Sequence, residues 1–198
     1  ALVTAYNHDI VWVWPDASGI PTIVGTTIDV DKAYTLVRGP GRDLKFKPTA
    51  TSADTITISA EGCELSGFIV ETAATGSRAA VVINANFARV HKVHIDYSRG
   101  HGFSLLNGSN CILEDIIVQD AAQSCSGHAV SVKSTPGNAT RNVLMNARII
   151  SNAGDGVKFD GANTRDNIVT AGPKGSAVMH NTGYGINEVN SADNNHVL

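Results

Sequence analysis

The feature that most constrains this chain is an internal repeat that begins near residue 54 and runs to the C-terminus. Short segments of apolar–polar alternation recur, most often opened by glycine: TITISAEGCELSGFIVE (55–71), AVVINANFARVHKVHID (80–96), GFSLLNGSNCILEDIIVQD (102–120), GHAVSVKSTPGNATRNVLMNARIIS (127–151), GVKFDGANTRDNIVT (156–170) and SAVMHNTGYGINEV (176–189). Each reads as a strand, a turn rich in Asn and Gly, and a second strand. With Ile56, Val81, Phe103, Val130, Val157 and Val178 taken as the first inward apolar residues, the repeat advances by 21 to 27 residues. Period-two alternation inside such a repeat marks a stacked solenoid, in which each unit buries its apolar face against its neighbours. No long segment carries a 3.6-residue apolar period, which excludes leucine-rich, ankyrin and helical-pair repeats. The pattern predicts an all-β fold, a parallel β-helix with three short strands per turn.

The second strands also align. Leu65, Phe68 and Val70 match Val90, Val93 and Ile95, then Leu113, Ile116 and Val118, then Leu144, Ala147 and Ile149. Aliphatics therefore stack like on like inside, and the outward columns carry whatever function there is. They read Ser66, His91, Glu114, Met145; Gly67, Lys92, Asp115, Asn146; and Glu71, Asp96, Gln119, Ile150. On the first strands they read Thr57, Val82, Ser104, Ser131, Lys158 and Ser59, Asn84, Leu106, Lys133, Asp160. A filled solenoid has no central pocket, so a ligand must use a side face, an end or a seam between copies. The longest turn, STPGNATRN (134–142), is expected to protrude as a loop.

Residues 1–53 read as an N-terminal lead-in segment and first rungs, and 54–198 as the regular rungs of the same domain. ALVTAYNH (1–8) has the apolar spacing of the end of a short helix. Beyond it, Val11 and Val13 alternate with Trp12 and Trp14, so Trp12 should face outward.

Charged residues make up only 17%, below the usual quarter, which suits strands faced with Ser, Thr, Asn and Gly. A net charge of −3 gives no basic footprint for nucleic acid. No apolar run approaches the roughly 20 residues of a membrane span, and no basic segment followed by an apolar one is visible at the start. Cys63 and Cys111 share one slot two rungs apart, with Ala88 between them. At about 9–10 Å that is too far for a disulfide, so both are expected as small buried apolar groups. Cys125 falls in a turn, and no cysteine or histidine has zinc-ligand spacing.

Val11-Trp12-Val13-Trp14-Pro15, Ile28-Asp29-Val30 with Lys32, Thr35-Leu36 through Gly41, and Asp54 through Phe68 follow one another in order. This stretch, 8–71, resembles the opening of right-handed parallel β-helix proteins of the pectate-lyase-like superfamily, most closely the version found in phage tailspikes and tail fibres. Trp14 and Asp16 depart from the Pro and Gly of that pattern. The resemblance implies a single-stranded right-handed β-helix, a homotrimer on a virion or in the extracellular space, and a polysaccharide partner. The same scaffold hosts lyases, hydrolases, epimerases and non-catalytic binders, so activity must be argued from the site.

Glu114, Asp115 and Asp120 sit on one rung with Asp96 on the rung before, and two acids one rung apart can serve as a glycosidase pair. His91 stands beside Glu114 and Lys92 beside Asp115, the makings of a tuned acid or base. Lys133, Lys158 and Asp160 lie close together, and a lysine beside an anionic sugar stabilises developing charge in β-elimination. Each of these sets also has a plain reading as cross-rung charge pairing on a solvated face. Trp12 and Trp14 offer apolar ring faces to a sugar or a neighbouring subunit. Gly100-His101-Gly102 and Gly127-His128-Ala129, with Lys158 a rung later, invite comparison with polygalacturonases. The acid pairs which that family carries on the preceding rungs are absent, so both Gly-His pairs read as turn residues entering strands. No cofactor is expected. A calcium ion needs six to eight oxygens, and Asp155, Asp160, Asn163 and Asp166 are the residues that would supply them. The reading that follows is a tailspike-type domain binding host-surface polysaccharide. Its alternatives are a polysaccharide lyase or glycoside hydrolase, and a structural module without ligand.

Overall fold

The computed structural model describes residues 9–13, 22–23, 27–41, 44–46, 54–72, 78–121, 127–171 and 175–198. Among them there is no helix, and so none long and apolar enough to cross a membrane. The strands stack in parallel on three faces. The first face runs through Ile10–Trp12, Leu36–Arg38, the starts of Glu64–Glu71 and Arg89–Tyr97, then Ile112–Glu114, Val143–Met145, Ile168–Thr170 and His196–Val197. The second runs through Thr22–Ile23, Lys45–Phe46, the ends of the same two long strands, Ile117–Gln119, Arg148–Ile150 and Ala177–Met179. The third runs through Ile28–Val30, Ile56–Ile58, Val81–Ile83, Phe103–Leu106, Val130–Lys133, Val157–Asp160 and Ile186–Val189.

One column of the core comes from each face. Leu65, Val90, Leu113, Leu144 and Val169 stand in register on the first. Phe46, Val70, Ile95, Val118 and Ile149 do so on the second, and Ile58, Ile83, Leu105, Val132 and Phe159 on the third. All are buried, at about 1.5–3 kcal/mol of burial free energy apiece.

The corners explain how a chain of short strands keeps turning at the same place. Tyr34, Gly62, Phe87, Asn110, Arg141, Asp166 and Asn194 each precede a first-face strand, and all seven have φ between 52° and 69°. The left-handed conformation redirects the chain by a fixed angle on every rung, and Asn and Asp tolerate it best. It also throws the side chain outward, which is why Tyr34 and Phe87 are exposed. A second corner, Gly67, Lys92, Asp115 and Asn146, repeats φ values of 77°, 55°, 53° and 54° between the first and second faces.

The residue after each first-face corner turns inward. Cys63, Ala88 and Cys111 fill that slot on three rungs, all buried, and both thiols are free. Burial raises the Cys111 thiol to about 11 and makes it inert. On the later rungs the slot holds Asn142, Asn167 and Asn195. Asn142 Oδ1 accepts the Cys111 N–H at 2.9 Å, Asn167 Oδ1 accepts the Asn142 N–H at 2.9 Å, and Asn195 Oδ1 accepts the Asn167 N–H at 3.0 Å. Asn152 and Asn181 form a second such ladder, with Nδ2 of Asn152 donating to Oδ1 of Asn181 at 2.8 Å.

Three expectations need correction. Val178 does not open a repeat: it pairs with Ile149 on the second face, and Ile186 is the true partner of Val157. Residues 171–176 separate two strands that are nearly continuous on earlier rungs, so this turn takes 29 residues, from Val157 to Ile186, against 22 from Val81 to Phe103. Glu71 aligns with Tyr97 rather than Asp96, because a bulge shifts the register after Val70. The 134–142 segment lies against its neighbours instead of protruding. Asn107 Oδ1 accepts the Thr135 and Gly137 N–H groups, and Ala139–Thr140 pairs with Thr164–Arg165. Residues 1–8, Trp14 and Cys125 lie outside the described residues.

Candidate functional site on the lateral surface

The first face and its corner with the second gather His91, Lys92, Glu114 and Asp115 of the charged side chains singled out above. Register places Trp12, Arg38, Ser66, His91, Glu114 and Met145 in one outward column. Trp12, in the same column as His91 and Glu114, is 54% exposed, while Val11 and Val13 pack against the core. From Trp12 to Glu114 is four strand spacings, about 19 Å along the axis.

Glu64, in the adjacent column, was not among the sequence candidates, yet it is the hub of this surface. Arg38 donates to Glu64 Oε1 from Nε at 3.2 Å and Nη2 at 2.9 Å, and His91 Nε2 lies 3.2 Å from the same oxygen. Burial pushes the Glu64 carboxyl up, but the His91 hydrogen bond and the Arg38 guanidinium outweigh it and hold it below its ordinary value. Arg89 Nη2 donates to Glu114 Oε2 at 2.7 Å. His91 and Glu114 are thus neighbours in register with different partners, Glu64 and Arg89.

Across the corner, Lys45 Nζ donates to Glu71 Oε1 at 2.5 Å and lies 3.8 Å from Asp96 Oδ2. Gln119 Nε2 donates to Asp96 Oδ1 at 3.2 Å. The hydrogen bond to Glu71 raises the lysine above its ordinary value against the opposing effect of burial. The four proposed acids therefore do not form one catalytic pair. Glu114 is on the first face with Arg89, Asp115 is on the corner, and Asp96 is on the second face with Gln119. Asp120 is exposed at the far end of the second-face strand, about 13 Å of extended chain beyond Ile116.

Lys92, Asp115, Asn146 and Arg148 line a groove along the corner, floored by Ile116 and Ile117. Lys92 and Asp115 are one rung apart there, as their spacing implied.

The third face carries a separate cluster. Lys133 Nζ and Lys158 Nζ lie 3.9 and 4.0 Å from Asp160 Oδ2. Beside them His101, His128 and Asp155 occupy successive rungs, the two rings stacked at 5.5 Å. His101 Nδ1 accepts the His128 N–H at 3.0 Å, His128 Nδ1 accepts the Asp155 N–H at 3.1 Å, and Asp155 Oδ1 accepts the Tyr184 N–H at 2.8 Å. The histidines fasten one rung to the next. Three of the four residues named for calcium have separate partners: Asp155 holds Tyr184 and Asn187, Asp160 holds Asn190, and Asp166 holds Asn194. Among the described residues no three His, Cys, Asp or Glu side chains are grouped to hold a metal.

No protein-family model matches the sequence, and no curated protein matches it. Among solved structures, the pectate lyase Pel9A superposes with a TM-score of 0.68 at 15% identity, over 90% of this chain and 47% of the lyase. An alginate lyase from Paenibacillus sp. gives 0.49 at 12% identity, over 96% and 95% of the two chains. A pectin methylesterase in complex with a hexasaccharide gives 0.46 at 11% identity, over 93% and 74%. The chain spans about half the length of the pectate lyase. At 15% identity that likeness speaks for fold alone, and with the stacked registers it makes this a right-handed parallel β-helix of the pectate-lyase type.

Proposed function

We propose that this β-helix binds polysaccharide along its first face and the adjoining corner, as a non-catalytic surface domain of tailspike type assembled as a homotrimer on a virion or in the extracellular space. The single observation that carries the reading is the exposed Trp12 in register with Arg38, His91 and Glu114 on one straight column. An aromatic ring gives an apolar platform for a sugar face, and the charged side chains beyond it offer hydrogen bonds at strand-spaced intervals. The motif order at 8–71 supports the tailspike assignment.

Binding is favoured over cleavage by the state of the acids. A general acid at neutral pH needs a raised pKa, whereas Glu64 is displaced downward by His91 and Arg38. Glu114 is engaged by Arg89.

A glycan screen on the purified protein tests the proposal. Trp12→Ala is expected to weaken binding of whichever polysaccharide is captured by roughly tenfold, the scale of losing a central aromatic contact. The reading fails if the screen is silent. It also fails if reducing ends or unsaturated-uronate absorbance appear during incubation and vanish in Glu114→Gln or Asp115→Asn. Light scattering that gives a monomer would remove the trimer.

A further inference from the structure

The corner groove differs from the rest of this surface in its charges. Arg38, Lys45 and Arg89 each have a carboxylate partner, Glu64, Glu71 and Glu114. Lys92 and Arg148 are both exposed, both line the groove, and make no ion pair among the described residues. Asp115 occupies the rung between them. Lys92 is at the corner of its rung with φ 55°, Asp115 takes the equivalent position on the next with φ 53°, and Arg148 follows Asn146 on the third. The order along the axis is cation, carboxylate, cation. Arg148 stands two residues beyond that corner, in register with Ile117, so the two cations are rooted two strand spacings apart along the axis, about 10 Å, and about 7 Å apart across it.

An extended pyranose chain advances by close to one strand spacing per sugar. A chain laid along the corner therefore presents one sugar to each rung. Lys92 and Arg148 then meet sugars one and three, and Asp115 meets sugar two. Ile117, partly exposed in the floor, faces the apolar side of a ring.

We propose that this groove binds an acidic polysaccharide whose charged groups fall on alternate sugars. Lys92 and Arg148 hold the charged units, and Asp115 takes hydroxyl groups from the neutral one between them. Asp115 is then the specificity-determining residue, because a carboxylate on the middle sugar would face it directly. The proposal rests on the reading that this lateral surface holds polysaccharide.

Three oligosaccharide probes of equal length separate the outcomes by titration calorimetry: hyaluronan, with a carboxylate on every second sugar; oligogalacturonate, with one on every sugar; and dextran, with none. Hyaluronan is expected to bind best, and more weakly as salt is raised. Lys92→Gln and Arg148→Gln should each weaken it about fivefold, and the double variant should lose most of the salt dependence. Asp115→Asn should strengthen oligogalacturonate by about fivefold. Asn146 already stands at the equivalent corner with φ 54°, so the backbone accepts this change, and an unaltered far-ultraviolet spectrum would verify it. Equal hyaluronan affinity for the double variant and the parent overturns the groove. So does oligogalacturonate binding that is unmoved by Asp115→Asn. If Trp12→Ala still weakens a ligand from the wider screen, the lateral-surface reading survives that failure. A screen silent for every glycan removes both.

Discussion

Replacing Asn167 with alanine is expected to cost about 4–6 kcal/mol and to lower the melting temperature by about 10–20 °C. Asn167 is 1% exposed. Its Oδ1 accepts the N–H and Nδ2 of Asn142 at 2.9 and 3.0 Å, and its Nδ2 donates to Ala139 O at 3.0 Å and Asn195 Oδ1 at 2.8 Å. Alanine removes all four bonds and strands the Asn142 N–H where water cannot reach. One orphaned buried donor costs about 1–3 kcal/mol, and the remaining bonds about 1 kcal/mol each. Asn195 has the same role but is only half-buried, so water can replace its amide; Asn195→Ala should cost about 1 kcal/mol. The measurement is thermal and urea unfolding of both variants. Equal losses, or a loss below about 1 kcal/mol for Asn167→Ala, would mean that the ladder does not hold these rungs together.

The contrast between these ladders and the core columns shows what a sequence of this kind reveals. The aliphatic columns were legible because period-two alternation and rung spacing are both written in residue type. Leu65, Val90, Leu113 and Leu144 announce their own register. The asparagine ladder was not, because Asn beside Gly reads as turn chemistry. Its signal was positional: Asn142, Asn167 and Asn195 each stand two residues before an aliphatic of a first-face strand, Leu144, Val169 and Val197, the slot of Cys63 and Cys111. Val178 misled because Ala177-Val178-Met179 has the alternation of a first strand, and nothing in it records that 171–176 had delayed it. At the candidate site the sequence identified Trp12, His91, Lys92, Glu114 and Asp115, since outward columns follow from inward ones. It missed Glu64, Arg38 and Arg148. Register says which residues are side by side, whereas ion pairs form diagonally between two columns, as Arg38 to Glu64 does.

Acid is expected to weaken the fold through the third face before most carboxylates titrate. For Nδ1 of His101 and His128 to accept the next rung's N–H, each ring must be neutral with its proton on Nε2. A second proton would set two donors against each other. Burial, then the charges of His128, Lys158 and Lys133, bring His101 down to about 4. Burial and Lys158 lower His128 as well, against the opposing pull of Asp155 and Asp160. An unfolded histidine titrates near 6.5, so between about 6.5 and 4 the unfolded chain binds the extra proton and stability rises with pH. The contribution of His101 is complete above pH 6.5 and is lost as the pH falls toward 4, at most about 3 kcal/mol, with His128 adding to it in the same direction. Glu64 also loses stability in acid, because its folded value is depressed, but that loss begins near the ordinary carboxylate range and lies largely below pH 4.5. Melting temperatures between pH 7 and 4.5 therefore isolate the histidines. His101→Asn supplies an amide oxygen that does not titrate, the same kind of acceptor that Asn142 Oδ1 offers the Cys111 N–H at 2.9 Å. The variant should melt close to the parent at pH 4.5, lower at pH 7, and with a distinctly shallower slope between them. An unchanged slope would mean that the stacked imidazoles remain neutral for reasons unrelated to the rung-to-rung hydrogen bonds, and the ladder would then be a packing feature without influence on acid stability.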